Sequence, residues 1–469
     1  MRRLVMALAV LPALAAAAAS PREWEVETVA AAEFNNFDSP WIAVDDGGRP
    51  HISYVTRGKG YGLKYAVRTG GRWDVRDVDL GGMASVVGMV LDRKGRPCIL
   101  CCSRSERVFK YARWTGSDWE LATFDPGVPF DGVSFTQDGY DRPHVVYFDE
   151  AHRKLKYVRW LGGKLKAETV AEEPYVDTRT SIAVDRDGLP HISYWGGPDA
   201  CKAKLKYARG SANGFQVREV DHDPEVGPDH ALALDAEGTP YITYYCARKE
   251  RGTPKTYLKC ARWTGNGWDV ETFDSRRFVG DGNSLALDRR GQPHVAYYSR
   301  YRLKFTHRTA RGWYVRTLDT KPESRWYCGS YTAVALDAED RPHIAYYDWA
   351  NKQVKYATWR GSEWRVSADD PGEVDIDMSG VALTARWDPT HLLWEPGEPW
   401  RPVLTPDYYS DGGYHERILL RAAPREDAEV IGEIAEDTTD IWVANRDGSD
   451  VHLAVEADTN YNRRIYGKR

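Results

Sequence analysis

The sequence predicts an all-β fold, an eight-bladed β-propeller closed by an N-terminal strand. One phrase occurs seven times in the 469-residue chain: an apolar strand ending in Asp, then x-x-G-x-P-H-apolar-x-Tyr with small variations, a loop, Leu-Lys-Tyr-Ala, and a later Trp. A period of 46 to 53 residues is typical of a propeller or a solenoid. Helical periodicity is absent from the units, which excludes a solenoid of helix pairs, and a β-solenoid would use shorter repeats.

Each unit is predicted to open with a β-hairpin. A proline follows the phrase-opening aspartate by five residues, and a glycine or aspartate precedes that proline by two, which is typical of tight turns between strands. The seven phrase-opening aspartates are Asp45, Asp92, Asp138, Asp185, Asp235, Asp288 and Asp337.

Residue alternation predicts the remaining strands of each unit. In the first unit, bulky residues take every second position of segments 41–45 and 50–54, as a pleated strand requires. Segment 63–66 repeats the alternation, and Trp73 begins a fourth strand. Four strands per unit with a large aromatic residue in the last one indicate a propeller blade.

The chain ends predict the blade count. Segment 24–29 resembles a fourth strand that stands alone before the first unit, and segments 379–384 and 390–394 resemble the start of an eighth unit. A ring in which the N-terminal strand joins this last unit would remove two open sheet edges. We therefore expect eight blades; the alternative is seven blades with appended strands.

The predicted propeller repeats span residues 20–394, and residues 395–469 fit the repeat poorly. Segment 441–455 reads as a hairpin around Asp447-Gly448, a favoured turn dipeptide, and could complete the last blade. Segment 418–434 instead resembles the opening of a small SH3-like module. Both assignments stay open at this point.

The N-terminus is predicted to be a cleaved signal peptide, residues 1–19. A basic start is followed by an apolar run and then by small residues before Ser20, and the run is shorter than the roughly 20 apolar residues of a membrane anchor, the alternative interpretation. No later segment is apolar enough to span a bilayer. We expect a secreted or periplasmic protein.

Composition excludes some functions. A net charge of −5 gives no broad basic surface, so nucleic acid is not an expected partner. The seven cysteines lack zinc-site spacing and are too few to support a fold of this length. Cys246 and Cys260, across one hairpin, are the one candidate disulfide.

The phrase S-L-A-L-D-x-x-G-x-P-H-I-x-Y, followed by L-K-Y-A and Trp, resembles a repeat of secreted bacterial β-propeller proteins, a group near the sialidase-like and lectin-like propellers. Segment 283–297 is the best copy, and the resemblance covers residues 24–394. It implies the fold and a tendency to bind sugars or proteins. The chain lacks the S-x-D-x-G-x-x-W and F-R-I-P motifs of sialidases, so an arginine triad cannot be placed.

Two residue types repeat at fixed positions, and we interpret both as structural because catalysis needs one unique arrangement. The histidines are expected to satisfy backbone groups within a blade, near the phrase-opening aspartate, such as Asp45: they are His51, His144, His191, His294 and His343. A lysine in each third strand is expected to place its ammonium near a carboxylate of its own or the adjacent blade.

The loops that enter the innermost strands differ between units and are the predicted ligand site. Six aspartates there would surround one mouth of the central channel, a lining suited to a cation or a polyol: Asp38, Asp131, Asp177, Asp229, Asp281 and Asp377. Nearby aromatic residues, including Trp326 and Tyr327, could stack on sugar rings. In the alternative interpretation, these aspartates only form turns at the strand entries.

These observations favour a non-catalytic, monomeric binding protein whose partner is a glycan or an extracellular protein. The alternative is a polysaccharide hydrolase or lyase that uses two acids among Asp131, Asp177, Asp229 and Asp281; a role in cell-surface assembly is a third. We expect no cofactor or metal, and calcium at the Asp185–Gly188 turn is disfavoured because the EF-hand pattern is missing.

Overall fold

A computed structural model describes most of the chain between residues 24 and 359 and six strands beyond it. The described residues are 24–31, 40–56, 62–80, 85–103, 106–124, 130–161, 164–223, 226–250, 253–275, 279–299, 302–309, 312–319, 328–348, 351–359, 403–408, 414–419, 429–433, 442–446, 450–454 and 462–467. Every secondary-structure element among them is a β-strand. The predicted signal peptide lies outside the described residues, and the described part of the chain contains no helix suited to crossing a bilayer.

The first three blades are four-stranded antiparallel sheets in which spatial order follows chain order. Blade one consists of β2 (Trp41–Val44), β3 (Pro50–Thr56), β4 (Gly62–Thr69) and β5 (Arg72–Val78). Blade two consists of β6 (Ser85–Leu91), β7 (Pro97–Ser103), β8 (Val108–Trp114) and β9 (Trp119–Phe124). Blade three consists of β10 (Phe130–Gln137), β11 (Pro143–Asp149), β12 (Lys154–Leu161) and β13 (Lys164–Glu172).

Blades four to six repeat this arrangement. Blade four consists of β14 (Tyr175–Val184), β15 (Pro190–Gly197), β16 (Lys204–Ser211) and β17 (Gly214–Glu219). Blade five consists of β18 (Val226–Leu234), β19 (Pro240–Glu250), β20 (Thr253–Trp263) and β21 (Trp268–Asp274). Blade six consists of β22 (Val279–Leu287), β23 (Pro293–Ser299), β24 (Arg302–Thr309) and β25 (Gly312–Asp319).

Blade seven closes the ring. Its first three strands are β26 (Cys328–Leu336), β27 (Pro342–Asp348) and β28 (Gln353–Trp359), and its fourth is the N-terminal strand β1 (Trp24–Ala31), antiparallel to β28 with Trp24 opposite Trp359. The predicted N-terminal fourth strand is therefore confirmed. The predicted count of eight blades is wrong, because β1 occupies the outer edge of the seventh unit and the ring closes there.

The ring has seven blade interfaces. The first strands contact one another in sequence from β2 round to β26, and β26 contacts β2 again. Seven apolar clusters fill the seven interfaces; the one between blades seven and one contains Val29 of the closing strand, Ile52 and Tyr356. The first strands thus surround a channel, and the core lies between blades.

The repeated Asp-x-x-Gly-x-Pro phrase forms the turn from the first to the second strand. In blade one, Asp45 Oδ1 accepts hydrogen bonds from the backbone N–H groups of Gly47 (3.0 Å) and Arg49 (2.8 Å). Gly48 has φ 72°, a left-handed conformation that glycine adopts without strain. Asp141 and Asp340 take the equivalent position in blades three and seven, with φ 62° and 63°. We call the end of the channel at these turns the turn end, and the opposite end the mouth.

Six strands are described in the C-terminal segment. Strands β29 (Val403–Tyr408), β30 (Tyr414–Leu419), β34 (Asn462–Gly467) and β31 (Glu429–Glu433) form one sheet in that order, and β32 (Trp442–Arg446) pairs with β33 (Asp450–Ala454) in the hairpin that the sequence predicts. Because blade seven is completed by β1, an eighth blade is not needed to close the ring. The assignment of residues 395–469 as an SH3-like module stays a prediction.

Candidate functional site

The repeated histidine belongs to an Asp–His–Tyr network inside four blades. Its Nε2 lies 3.3–3.4 Å from the Oδ2 atom of the phrase-opening aspartate, and its Nδ1 lies 2.5–2.7 Å from the hydroxyl of the Leu-Lys-Tyr tyrosine. The four triplets are Asp45–His51–Tyr65, Asp138–His144–Tyr157, Asp185–His191–Tyr207 and Asp337–His343–Tyr356. The partners are thus side chains, whereas the sequence led us to expect backbone groups.

Electrostatics keep the histidine of this network neutral and its aspartate ionised, as blade three illustrates. Burial is the main cause that lowers the pKa of His144, so its ring is neutral at pH 7. Burial raises the pKa of Asp138, but hydrogen bonds from the Arg142 guanidinium, from the backbone N–H groups of Arg142 and Tyr140 and from His144 outweigh it and lower that pKa to about 2. An ionised aspartate requires a proton on the facing Nε2, so Nδ1 accepts from the tyrosine hydroxyl.

The network changes in the other three blades. Blade two has Cys98 at the histidine position, and its tyrosine, Tyr111, instead accepts a hydrogen bond from Gln137 of blade three (2.7 Å). Blade five has Tyr241 at that position. In blade six, His294 Nε2 lies 3.8 Å from Asp288 Oδ2, and Phe305 replaces the tyrosine.

A second repeated network joins neighbouring blades. Tyr194 and Lys206 of blade four both donate to Glu173, which follows the last strand of blade three, at 3.0 and 2.5 Å. Asp221 likewise accepts hydrogen bonds from Tyr244 (2.7 Å) and Lys259 (3.0 Å) of blade five. Asp319 accepts hydrogen bonds from Tyr346 and Lys355 of blade seven. The prediction that third-strand lysines lie beside carboxylates is confirmed for these blades.

The predicted mouth residues are described only in part. Asp38, Asp377, Trp326 and Tyr327 lie outside the described residues. Asp131 and Asp281 are described in backbone only, where the pairing of β10 and β22 with their neighbours shifts register. Asp177 and Asp229 occupy similar irregularities of β14 and β18, and their side chains are described.

The structure brings Asp177 and Asp229 into one cluster between blades four and five. Asp229 is buried and forms an ion pair with Arg179, while Asp177 accepts hydrogen bonds from the Tyr175 hydroxyl (3.0 Å) and the Arg179 backbone N–H (3.3 Å). His230 is buried beside them, and its Nδ1 donates to the Pro228 carbonyl (2.8 Å). Burial lowers the pKa of His230. Protein groups therefore already engage both described acids.

At the turn end, a cleft opens between the same two blades. Its volume is about 600 Å³. The blade-four wall contains Arg209, Gln216 and Arg218, and the blade-five wall contains Arg262 and Trp263 together with the turn from Glu237 to Pro240. Buried His191 and Tyr207 of the Asp–His–Tyr network also line the cleft.

Three guanidinium groups give the cleft a positive charge. Arg209 Nη2 lies 3.7 Å from Asp185 Oδ2, the Arg218 Cζ atom lies 5.2 Å from the Trp263 ring centre, and the Arg262 Cζ atom lies 5.7 Å from the Tyr241 ring centre. Within the described part of the chain, neither Arg218 nor Arg262 has a carboxylate within 4.0 Å. Glu237 is the one acidic side chain among the lining residues.

Sequence reasoning missed this cleft because it looked for variable loops. Arg209, Arg218 and Arg262 lie on regular strands, and only the register brings them together: Arg218 is opposite Tyr207, and Arg262 is opposite Asp269. The available signal was the repeat itself, since Arg209 and Gln216 replace Val67 and Asp74 of the first unit.

The predicted disulfide is absent. Cys246 and Cys260 are both buried and form no disulfide with each other; across the strand pair, Cys246 lies opposite Tyr257, whereas Cys260 lies opposite Thr243. Cys246 and Thr243 are three residues apart on one strand, and Cys260 lies on the same face as Thr243, so the two thiols point to opposite faces of the sheet.

At the Asp185 turn, one carboxylate oxygen accepts hydrogen bonds from the backbone N–H groups of Asp187 (3.0 Å) and Leu189 (2.8 Å). No group of three potential metal ligands occurs among the described residues.

No protein-family model matches the chain, and no curated protein matches it in sequence. Among solved structures, the chain is similar to an ulvan lyase from a new family of polysaccharide lyases, with 13% identity over 72% of this chain and 96% of that one (TM-score 0.48). The chain is also similar to a fungal lectin from Aleuria aurantia, a six-bladed β-propeller that recognises fucose, with 15% identity over 63% of this chain and 100% of the lectin (TM-score 0.42). A third similar structure is a protein of unknown function from Dyadobacter fermentans, with 10% identity over 71% of this chain and 99% of that one (TM-score 0.41).

Proposed function

We propose that this protein is a non-catalytic β-propeller that binds a saccharide in the cleft between blades four and five. The observation that carries the proposal is the joint lining of this cavity by three arginines, an amide and a tryptophan. Its volume of about 600 Å³ lies within the range of small-ligand sites. Residues 1–19 favour export, so we place this ligand outside the cytoplasm.

The lining matches the two surfaces of a sugar. Guanidinium and amide N–H groups donate to hydroxyl oxygens, and the Glu237 carboxylate and the Gln216 carbonyl accept from hydroxyl hydrogens. Trp263 is half-buried and adds an apolar surface of the kind that packs against the C–H face of a pyranose ring. A flat surface made only of polar groups would not offer this apolar contact.

Binding is favoured over glycoside hydrolysis by the engagement of the described acids. Glycoside hydrolysis usually requires two carboxyl groups on opposite sides of the scissile bond. The cleft contributes one acidic side chain, Glu237. At the mouth, Asp177 is hydrogen-bonded to Tyr175 and Asp229 is ion-paired with Arg179. For the same reason we favour the cleft over the mouth as the ligand site.

A glycan array probed with the purified protein, followed by a reducing-sugar assay on every hit, tests the proposal. Trp263→Ala is expected to weaken binding of a hit by about tenfold or more, because it removes the stacking surface. Trp114→Ala is the matched control: Trp114 contacts Trp119 edge-on at 5.3 Å, as Trp263 contacts Trp268, but it lies between blades one and two. Equal loss in both variants, or release of reducing sugar, would overturn the proposal.

A further inference from the structure

We infer that the ligand of this cleft carries an anionic group, a carboxylate or a sulfate ester, which is held by Arg218 and Arg262. The inference rests on the proposed function and specifies its ligand class. Two blade interfaces share the geometry of this cleft and differ in their charged groups.

The interface between blades one and two reproduces the geometry of the cleft. Arg76 lies opposite Tyr65, as Arg218 lies opposite Tyr207, and the Arg76 Cζ atom lies 5.3 Å from the Trp114 ring centre, against 5.2 Å for Arg218 and Trp263. Arg113, which precedes Trp114, corresponds to Arg262. The same stacked Arg–Trp pair and second arginine therefore occur twice in the ring.

Acidic partners are what distinguish the two interfaces. Arg76 donates from Nε (2.9 Å) and Nη2 (2.5 Å) to Asp74. Arg113 donates from Nε (3.2 Å) and Nη2 (2.5 Å) to Glu120. Both guanidiniums at this interface thus have an internal counter-ion.

In the cleft, these counter-ions are missing or displaced. Gln216 takes the position of Asp74, and Asp269 takes the position of Glu120 but lies more than 4.0 Å from the Arg262 guanidinium. Arg209 takes the position of Val67 and adds a third cation. Among the described residues, the fold therefore presents guanidinium donors whose usual carboxylate partners the repeat has removed.

An anion is the ligand that such donors bind best. A hydrogen bond from a guanidinium to a carboxylate or sulfate oxygen joins two opposite charges, whereas a hydroxyl oxygen offers no opposite charge to the guanidinium. A guanidinium also presents two parallel N–H groups, a geometry that matches two oxygens of one carboxylate or sulfate. His191 adds no charge at neutral pH, because burial lowers its pKa, so the positive potential comes from the arginines.

The test is Gln216→Asp, which restores to the cleft the carboxylate that Asp74 supplies between blades one and two. Gln216→Asn is the matched control, because it shortens the side chain equally without adding charge. Gln216 is exposed, so both variants should keep the wild-type melting temperature. The array carries neutral, uronate-bearing and sulfated saccharides and is read at about 50 and about 300 mM NaCl.

We expect the hits to be uronate-bearing or sulfated and to bind more weakly at the higher salt concentration. We also expect Gln216→Asp to bind them about tenfold or more weakly than Gln216→Asn, because the two variants shorten the side chain equally and differ only in charge. The uronate and sulfate arms identify which anion is bound. A neutral saccharide that binds in a Trp263-dependent manner, unaffected by Gln216→Asp, would overturn this inference and leave the proposed function standing. Binding of no saccharide, or binding insensitive to Trp263→Ala, would overturn the proposed function itself.

Discussion

The Asp–His–Tyr network predicts a specific pH dependence of stability, which Asp138→Asn tests. Asp138 is buried, and its folded-state pKa is lowered from 3.8 to about 2. A difference of nearly two units corresponds to about 2 kcal/mol of folding free energy at pH 7. Asparagine keeps an oxygen that can accept the backbone N–H groups of Tyr140 and Arg142 but loses the ion pair with Arg142.

Because the folded-state pKa is lowered, the stabilisation is fully present above the unfolded pKa of about 4 and is lost as the pH falls towards 2. The gap in unfolding free energy between wild type and Asp138→Asn should therefore be about 2 kcal/mol at pH 7 and about 1 kcal/mol at pH 3.

The assay is urea unfolding followed by tryptophan fluorescence at both pH values. Asp187→Asn is the control, because Asp187 is exposed in an equivalent turn. A gap that is the same at pH 3 and pH 7, or no gap at all, would refute the assignment of this stabilisation to the ionised Asp138.

Three further predictions concern the frame of the ring. Tyr194→Phe should lower the unfolding free energy by about 1–2 kcal/mol in urea titrations, because buried Glu173 loses a hydrogen-bond donor. The control Tyr140→Phe, at an exposed position, should change the unfolding free energy by less than about 0.5 kcal/mol. Similar effects of the two substitutions would contradict the inter-blade role of Tyr194. Glu27→Ala should lower the unfolding free energy by about 1–2 kcal/mol and speed amide hydrogen exchange in β1, because Glu27 accepts hydrogen bonds from both Arg68 and Trp73 of blade one. Unchanged exchange in β1 would show that these hydrogen bonds do not hold the closing strand. Of the six cysteines whose side chains are described, exposed Cys201 should react first with iodoacetamide, while Cys260, whose pKa burial raises to about 12, should stay unlabelled until urea unfolds the protein; a disulfide-linked Cys246–Cys260 peptide in mass spectra would contradict the placement of these two thiols on opposite faces of the sheet.

The repeated part of the fold was predictable, because the evidence for each strand recurs seven times. Asp45 and Pro50 mark the first turn, and their equivalents mark the same turn in every blade. The blade count was not predictable in the same way. Whether the strand at Trp24 pairs with the seventh unit or with an eighth depends on ring closure, which is a long-range contact without a local sequence pattern.

The cleft escaped prediction for a related reason. Arg218 and Trp263 are 45 positions apart in the chain and belong to different blades, so their 5.2 Å contact exists only after the blades pack. Comparison of equivalent positions would have shown that Gln216 of blade four replaces the Asp74 of blade one. A single exchange at an exposed position, however, does not indicate a binding site until its spatial neighbours are known.

The closing strand also constrains how the molecule can be made. Residues 24–31 are synthesised before the strands of blade one, yet they pair with residues 353–359, so the ring cannot be sealed until nearly 330 further residues have been synthesised. During that time the first blade has no neighbour on one side, and an unfinished chain exposes strand edges that attract other chains. Biogenesis of this protein should therefore depend on factors that delay collapse of the nascent polypeptide, and truncation before residue 359 should yield aggregates rather than a smaller stable ring.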